Sequence, residues 1–410
     1  MSGEKIYEGI LAVNKPQGVT SAGVLRHLQK HFNSSELFKP WVDAEHARRK
    51  GFGNYRRRWK YKALNVKIGH GGTLDPLATG VLVTGIGAGT KFLKDFLSCT
   101  KTYETILLFG AETDTYDRLG KVVRRAPYEH ITRDAVEKAL DQFRGEIMQR
   151  PPIWSALRIQ GKKLYEYARE GKQPPVSIKT RPVTVEGLEI LEWYEPGTHD
   201  YKWPEEEMVP QEKAVMEEMM DKIASLPVEL ADEVEIDEEQ IGLEEDQGSS
   251  KRKSPPPVTP GSSDPEPKKQ KINSQSTSAE VEPVSQPPKK TVEREEQLAI
   301  SSSPQTSSDN HNSNSQRSPT PTYSPPPAVK ISLTVSSGFY VRSFAHDLGK
   351  AVGSCGLMSS LVRSRQGEFD LHPDKTLEYE DLERGEEFWG PKVQRFLEGW
   401  ERKKAHEKES

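Results

Sequence analysis

Between about Pro196 and Pro327 the chain stops reading like a sequence that packs. Acidic residues come first, then KRKSPPPVTPGSSDPEPKKQK, then SSSPQTSSDNHNSNSQRSPTPTYSPPP. This composition buries too little apolar area to offset the entropy of ordering, which predicts a disordered acidic and Pro/Ser-rich insertion over 196–328. Within it, only the 212–223 run reads as a short helix. A folded domain must therefore be assembled from two separated pieces, 1–195 and 329–375, with a helical tail over 376–410.

The charge follows the same division. The formal net charge of -4 averages opposite blocks: Glu205 to Asp246 holds 17 acids against Lys213 and Lys222, leaving +11 on the remaining residues. A basic folded part suits a polyanionic partner. Two cysteines, Cys99 and Cys355, stand far apart with no C-x-x-C and no nearby His pair, so neither a disulfide framework nor a cysteine zinc site is suggested. No stretch approaches the roughly 20 apolar residues of a membrane span, so no membrane partner is expected. The start, MSGEKIYEG, has neither an apolar signal core nor an Arg-rich leader. Basic clusters at Lys251 to Lys253 and Lys268 to Lys271 resemble a bipartite nuclear-import signal, although a charged solubilising linker has the same composition. The expectation is a nuclear protein with a cytoplasmic share; a mitochondrial pool is left open without a clear leader.

Patterning identifies the elements. In AVKISLTVSSGFYVRSFAHDLGKAVG, Val329, Ile331, Leu333 and Val335 alternate and then give way to Phe344, Leu348 and Val352 at helical spacing, a strand, a turn at Gly338 and a helix. Strands are also predicted at GILAVNKP, YETILLFGAET, GKVVRR and TVEGLEILEWYE. Helices are predicted at 21–33, 132–143 with Thr132 as N-cap, 163–170, 343–352 and 392–405. The order lacks regular βαβ alternation, which favours an α+β domain with a mixed, largely antiparallel sheet flanked by helices.

The stretch GHGGTLDPLATG (69–80) sets one carboxylate, Asp75, among four glycines and a proline. GIGAGTK downstream fits neither GxGxxG nor GxxxxGK[ST], so a nucleotide loop is not indicated. His70 and Asp75 supply too few ligands for a metal, and Asp114 and Asp117 in DTYDRLG read as turn formers. No metal site is expected. What remains is a flexible backbone, a carboxylate fixed by Pro76 and a helix-like run after it. Such an acid is either a turn residue or a nucleophile or base brought close to a substrate sugar.

At this point the residues resemble a known family. GHGGTLDPLATGVLVTGIGAGTKF is similar to the central motif of the TruB-type pseudouridine synthases, which convert the T-loop uridine 55 of tRNA to pseudouridine. VNKPQGVTS (13–21), KTYE (101–104), RPPIWSALRIQGKKLYEYAREG (150–171), SSGFYVRSFAHDLG (336–349) and LVRSRQGEF (361–369) follow in the family's order. The resemblance implies the pseudouridine synthase fold, with Asp75 as catalytic aspartate, Tyr103 as the active-site tyrosine beside the base and Arg342 as the partner that keeps Asp75 ionised and oriented. Whether Asp75 attacks C1′ or first removes a sugar proton stays open. Tyr340 and Leu361 match positions lining the base pocket, and His70 matches the histidine near the extruded nucleotide. Lys15 and Pro16 are read either as shaping the adjacent turn or as taking part at the site. No cofactor is implied, because the isomerisation is redox-neutral.

The RNA grip is expected from two basic stretches. Ser34 to Lys67 departs from the bacterial pattern and carries ten Lys or Arg against three acids, interleaved with Phe38, Trp41, Phe52, Tyr55, Trp59 and Tyr61, residues suited to phosphates and splayed bases. In RIQGKKLYEYAREGK, Arg158, Lys162 and Lys163 are the phosphate-contact candidates, while Tyr165 and Tyr167 fit core or contact equally. After Phe369 only 41 residues remain, too few for the PUA domain of many relatives. The resulting expectation is a monomeric stand-alone enzyme acting on the T arm of tRNA without guide RNA. The competing reading is a non-catalytic RNA-binding or tRNA-folding protein using the same surface.

Overall fold

The computed structural model describes residues 4–50, 64–172, 174–225 and 325–409. Along the chain the elements are β1 (Gly9–Lys15), α1 (Ser21–Asn33), α2 (Lys39–Lys50), β2 (Ile68–His70), β3 (Thr79–Ile86), α3 (Leu93–Ser98) and β4 (Lys101–Phe109). Then come β5 (Ala111–Thr113), β6 (Val122–Arg125), α4 (Arg133–Leu140), β7 (Gly145–Gln149), β8 (Arg158–Ile159), β9 (Lys162–Lys163), α5 (Leu164–Arg169) and β10 (Arg181–Tyr194). After α6 (Pro210–Ser225) follow β11 (Ala328–Val335), α7 (Val341–Ala351), β12 (Gly356–Gln366), β13 (Phe369–Asp370), β14 (Thr376–Glu378) and α8 (Glu386–Glu409).

Local chemistry accounts for the main elements. Thr20 caps α1 by accepting from the Gly23 amide, and Thr132 caps α4 by accepting from Ala135. In α1, Val24, Leu25, Leu28 and Phe32 form one buried face. The alternation of β11 is realised as buried Val329, Ile331, Leu333 and Val335. Ten of these strands join in one mixed sheet of order β14-β1-β3-β12-β4-β11-β10-β7, with β2 also on β3 and β13 on β12, while β5 with β6 and β8 with β9 form two separate two-stranded sheets. Only β1 with β14 and β3 with β12 run parallel among the named pairs. The α+β expectation, a largely antiparallel sheet flanked by helices, therefore holds.

Three expectations change. The helix-like run after Asp75 is the strand β3: Thr79 to Ile86 lies between β1 and β12 and buries both faces, which calls for a continuous apolar run rather than alternation. The tail over 376–410 belongs to the core, since β14 extends the sheet beside β1 and Trp389, Val393 and Leu397 of α8 are buried in the main apolar cluster. Packed structure also does not stop at 196. The Trp203 indole donates to the Phe109 carbonyl at 2.8 Å, Met208 pairs through its backbone with Val122, and Met219 and Met220 of α6 are buried against Tyr116, Ile153 and Leu164. Acids in this stretch meet bases of β6: Arg124 with Asp221 at 2.9 Å and Arg125 with Glu207 at 3.0 Å. The rest of the expected insertion, 226–324, with both basic clusters, lies outside the described residues.

Helix α7 carries Arg342 and Tyr340 precedes it, so its distance from the sheet matters. It approaches β12 through two glycines; a Cβ on Gly349 would stand 2.2 Å from the Gly356 amide nitrogen. Gly349→Ala should therefore lower stability by about 1–3 kcal/mol through overpacking. The check is the urea midpoint, expected to fall at an unchanged slope.

Candidate active site

The loop carrying Asp75 leaves β2 at His70 and enters β3 at Thr79, and its polar backbone is captured from several directions. Ser21 Oγ accepts from the Leu74 amide at 2.9 Å and donates to the Leu74 carbonyl at 3.1 Å. The Gly18 amide donates to Pro76 O at 2.8 Å, and the Ala78 amide to Asp75 O at 3.0 Å. The fully buried Lys15 ammonium donates to Pro16 O at 2.8 Å, Pro76 O at 3.5 Å and Ala78 O at 2.6 Å. Arg363, buried in β12, reaches Val81 O at 2.7 Å and Gly72 O at 3.2 Å, while Gln366 donates to the Gly71 and Phe96 carbonyls. Gly72 sits at φ 128°, a conformation that L side chains rarely adopt. The turn is thus fixed by partners rather than mobile.

Asp75 meets Arg342 in a fork. Arg342 Nε donates to Oδ2 at 2.8 Å and Nη2 to Oδ1 at 3.2 Å, the bidentate geometry that fixes a carboxylate in orientation. Nη1 also donates to Thr115 O at 3.0 Å and Nη2 to Trp154 O at 2.9 Å. Asp117 Oδ2 lies 3.9 Å from Nε. Burial opposes the arginine's charge, but Asp75 and then Asp117 outweigh it. Burial raises the Asp117 carboxyl above its ordinary range against the pull of Arg342. The Arg342 side chain is 8% exposed and that of Asp75 34%, so the carboxylate is the part of the pair open to a substrate.

The sheet places further candidates on one face. Tyr103 in β4 stands directly opposite Leu333 of β11 and Arg363 of β12, and Leu361 stands opposite Thr105. Directly opposed and alternate residues share a face, so Tyr103, Leu361 and the Arg363 that grips the Asp75 loop point the same way. Tyr103 and Leu361 are buried in the same apolar cluster as Leu74 and Leu77, which bracket Asp75. Tyr340 is held by Gln149, which accepts from its amide at 2.7 Å and donates to its carbonyl at 3.0 Å. Burial pushes the Tyr340 phenol above its ordinary pKa. His70 is buried at the loop's entry; burial, then the Arg363 charge, lower its pKa to about 4, so the ring is neutral near pH 7. Lys15 is lowered to about 8 by burial, against the attraction of Asp75.

The basic candidates belong to a separate two-stranded sheet. Arg158, Lys162 and Lys163 form the β8–β9 hairpin; Arg158 donates to Gly161 O at 2.9 Å and Lys162 pairs with Glu170. Phe38 and Trp41, expected to stack on bases, instead pack inward: Phe38 is fully buried and stacks on Phe32 at 4.4 Å, and the Trp41 indole donates to Glu8 at 2.7 Å. Phe52, Tyr55, Trp59 and Tyr61 lie outside the described residues. Sequence reasoning missed the carbonyls of Thr115 and Trp154, and it missed Arg363 and Gln366. Asp117 does form the expected turn, accepting from Thr115 Oγ1 at 2.8 Å and the Leu119 amide at 3.0 Å, but it also faces Arg342.

Comparison with known proteins points the same way. Residues 56–203 match the TruB family pseudouridylate synthase N-terminal domain. The chain is 39% identical to tRNA pseudouridine synthase 4 of Schizosaccharomyces pombe over 401 residues, 97% of this chain and 84% of that protein. It is 30% identical to tRNA pseudouridine synthase 4 of Saccharomyces cerevisiae, over 95% of this chain and 85% of that one. Pseudouridylate synthase TRUB1 of Mus musculus is 41% identical over 188 residues, 46% of this chain and 51% of that protein.

The buried neutral His70 makes a stability prediction. An unfolded histidine takes up its proton near pH 6.5 and the folded one only near 4, so the unfolded state binds more protons in that window and stability falls as the pH drops through it. Between pH 7 and pH 5 the loss should be about 2 kcal/mol. Chemical denaturation across this range should show a flatter profile for His70→Gln.

Proposed function

Because this chain belongs to the TruB family of pseudouridine synthases, sharing 39% identity across 84% of a fungal relative, we propose that it converts the T-loop uridine 55 of tRNA to pseudouridine using Asp75. The protein is a pseudouridine synthase of tRNA, an isomerase. Its reaction breaks the N1–C1′ bond of uridine, turns the base and joins C5 to C1′; C5 loses its proton to solvent and the released N1 takes one up. Nothing is oxidised or reduced.

The observation that carries the catalytic assignment is the Asp75–Arg342 fork. Either as nucleophile at C1′ or as base toward the neighbouring sugar carbon, Asp75 has to be ionised, aimed and reachable. The bidentate guanidinium at 2.8 and 3.2 Å aims the carboxylate, and the partial exposure of Asp75 leaves it reachable. A uridine must leave its stack to meet this carboxylate, and Tyr103, Leu361 and Tyr340 offer the aromatic and apolar walls for the turned-out base. His70 enters as a neutral ring at the loop's entry. Lys15 supports the site by holding the turn through three carbonyls. The β8–β9 hairpin with Arg158, Lys162 and Lys163 is assigned to phosphates of the T arm, with the protein acting as a monomer and without guide RNA.

The test uses a tRNA transcript carrying tritium on C5 of its uridines. Wild-type protein should release tritium, Asp75→Asn should release none while still binding tRNA, and replacing the target uridine by cytidine should abolish the signal at that position. Arg342→Lys, which loses the fork and one carbonyl anchor, should lower kcat by about 10²-fold with KM little changed, since the loss is in orientation rather than in grip on the RNA. Undiminished release by folded Asp75→Asn would remove Asp75 from the mechanism; wild-type binding without release would leave an RNA-binding protein.

A further inference from the structure

Where α1 meets the segment before α8, three ligand-type atoms converge. His27 and His31 stand one helical turn apart on the same face of α1. Glu383 comes from the 3-10 turn Tyr379–Arg384 just before α8. His27 Nε2 lies 2.7 Å from Glu383 Oε1 and 3.1 Å from His31 Nε2, and His31 Nε2 lies 3.7 Å from the same Glu383 oxygen. We propose that His27, His31 and Glu383 form a binding site for one zinc-class divalent cation, which staples α1 to the C-terminal segment.

Proton bookkeeping is the first reason. An imidazole Nε2 has either one hydrogen or one lone pair in the ring plane. With the hydrogen on His27 directed to Glu383, His27 has no lone pair to offer His31. With His27 accepting from His31 instead, its lone pair faces a carboxylate oxygen at 2.7 Å. Neither assignment gives both short contacts a near-linear hydrogen bond, whereas one cation taking a lone pair from each atom serves all three.

The dimensions are the second reason. A triangle with these sides has a point about 1.9 Å from every corner, and a small displacement out of its plane gives the roughly 2.0–2.2 Å bonds that zinc makes to imidazole and carboxylate. Two nitrogens and one oxygen suit zinc and its neighbours in the first transition row and do not suit magnesium or calcium, which take all-oxygen shells. The His27 and His31 side chains are 17% and 19% exposed and Glu383 is 66% exposed, so an ion has a route in and a fourth position is left for water. Tyr379 backs the His27 ring at 4.8 Å and limits its reorientation.

Full-length protein stripped with a chelator and dialysed would be titrated with Co²⁺, a coloured stand-in for Zn²⁺. One equivalent should bind with the visible absorption of four- or five-coordinate cobalt, and one equivalent of Zn²⁺ should bleach it. Zn²⁺ should raise the thermal midpoint of the wild type, and Mg²⁺ should leave it unchanged. His31→Gln and Glu383→Gln should each weaken binding at least 10-fold and abolish the Zn²⁺-induced shift. Glu383→Gln, at an exposed position, keeps the test valid if His31→Gln folds poorly. Absence of a cobalt band, or variants that bind as tightly as the wild type, would overturn the site and leave the pseudouridine assignment untouched.

Discussion

The buried guanidinium of Arg342 is the junction on which the site depends. It joins four stretches of chain that no local rule brings together: the Asp75 loop, the turn at Thr115, the segment at Trp154 and helix α7. A buried charge of this kind adds little net stability, because desolvation offsets much of its attraction, but removing a partner leaves the other unsatisfied. What the arrangement secures is position. Asp75 is held by two parallel hydrogen bonds from a group that also donates to two main-chain carbonyls, so the fork cannot shift without disturbing those two contacts.

The loop around Asp75 obeys the same logic with different partners. Lys15 and Arg363 point into it and donate to main-chain carbonyls of the turn and its flanks. Burial lowers the Lys15 pKa to about 8 despite the attraction of Asp75. A preorganised carboxylate needs little rearrangement when substrate arrives, which is how a small set of fixed dipoles contributes to rate.

Much of this was legible in the residues, and the gaps have physical causes. Helix α1, its Thr20 boundary and the alternation in β11 follow from local patterns, and the Thr132 cap is where the pattern predicts it. The run after Asp75 misled because Val81, Leu82 and Val83 are apolar at successive positions, and only burial on both faces distinguishes a central strand from a helix. Phe38 and Trp41 sit among lysines and arginines, so composition suggested stacking on RNA, yet the described part of that segment turns its aromatics inward. The acidic run after 204 looked unpartnered because its bases, Arg124 and Arg125, are some 80 to 97 residues away. The roles of Asp75, Tyr103 and Arg342 came from family resemblance. The structure adds what spacing alone could not express, a distance between residues 267 apart.

That distance can be kept across so long an interval because of where the interval is attached. Tyr194, at the end of β10, is paired with Ala328, at the start of β11, and the ladder continues to Val185 opposite Val335. The two ends are therefore held as neighbours in one sheet whatever length of chain separates them, as in a hairpin whose loop has been extended. Closing a longer loop costs only about 0.6 kcal/mol for each doubling of its length, so the ladder and the apolar face of β11 outweigh it. β11 then leads through the Gly338 turn into α7, while its other edge pairs with β4 and sets Leu333 opposite Tyr103. One strand thus transmits its register both to the helix that carries Arg342 and to Tyr103 of β4.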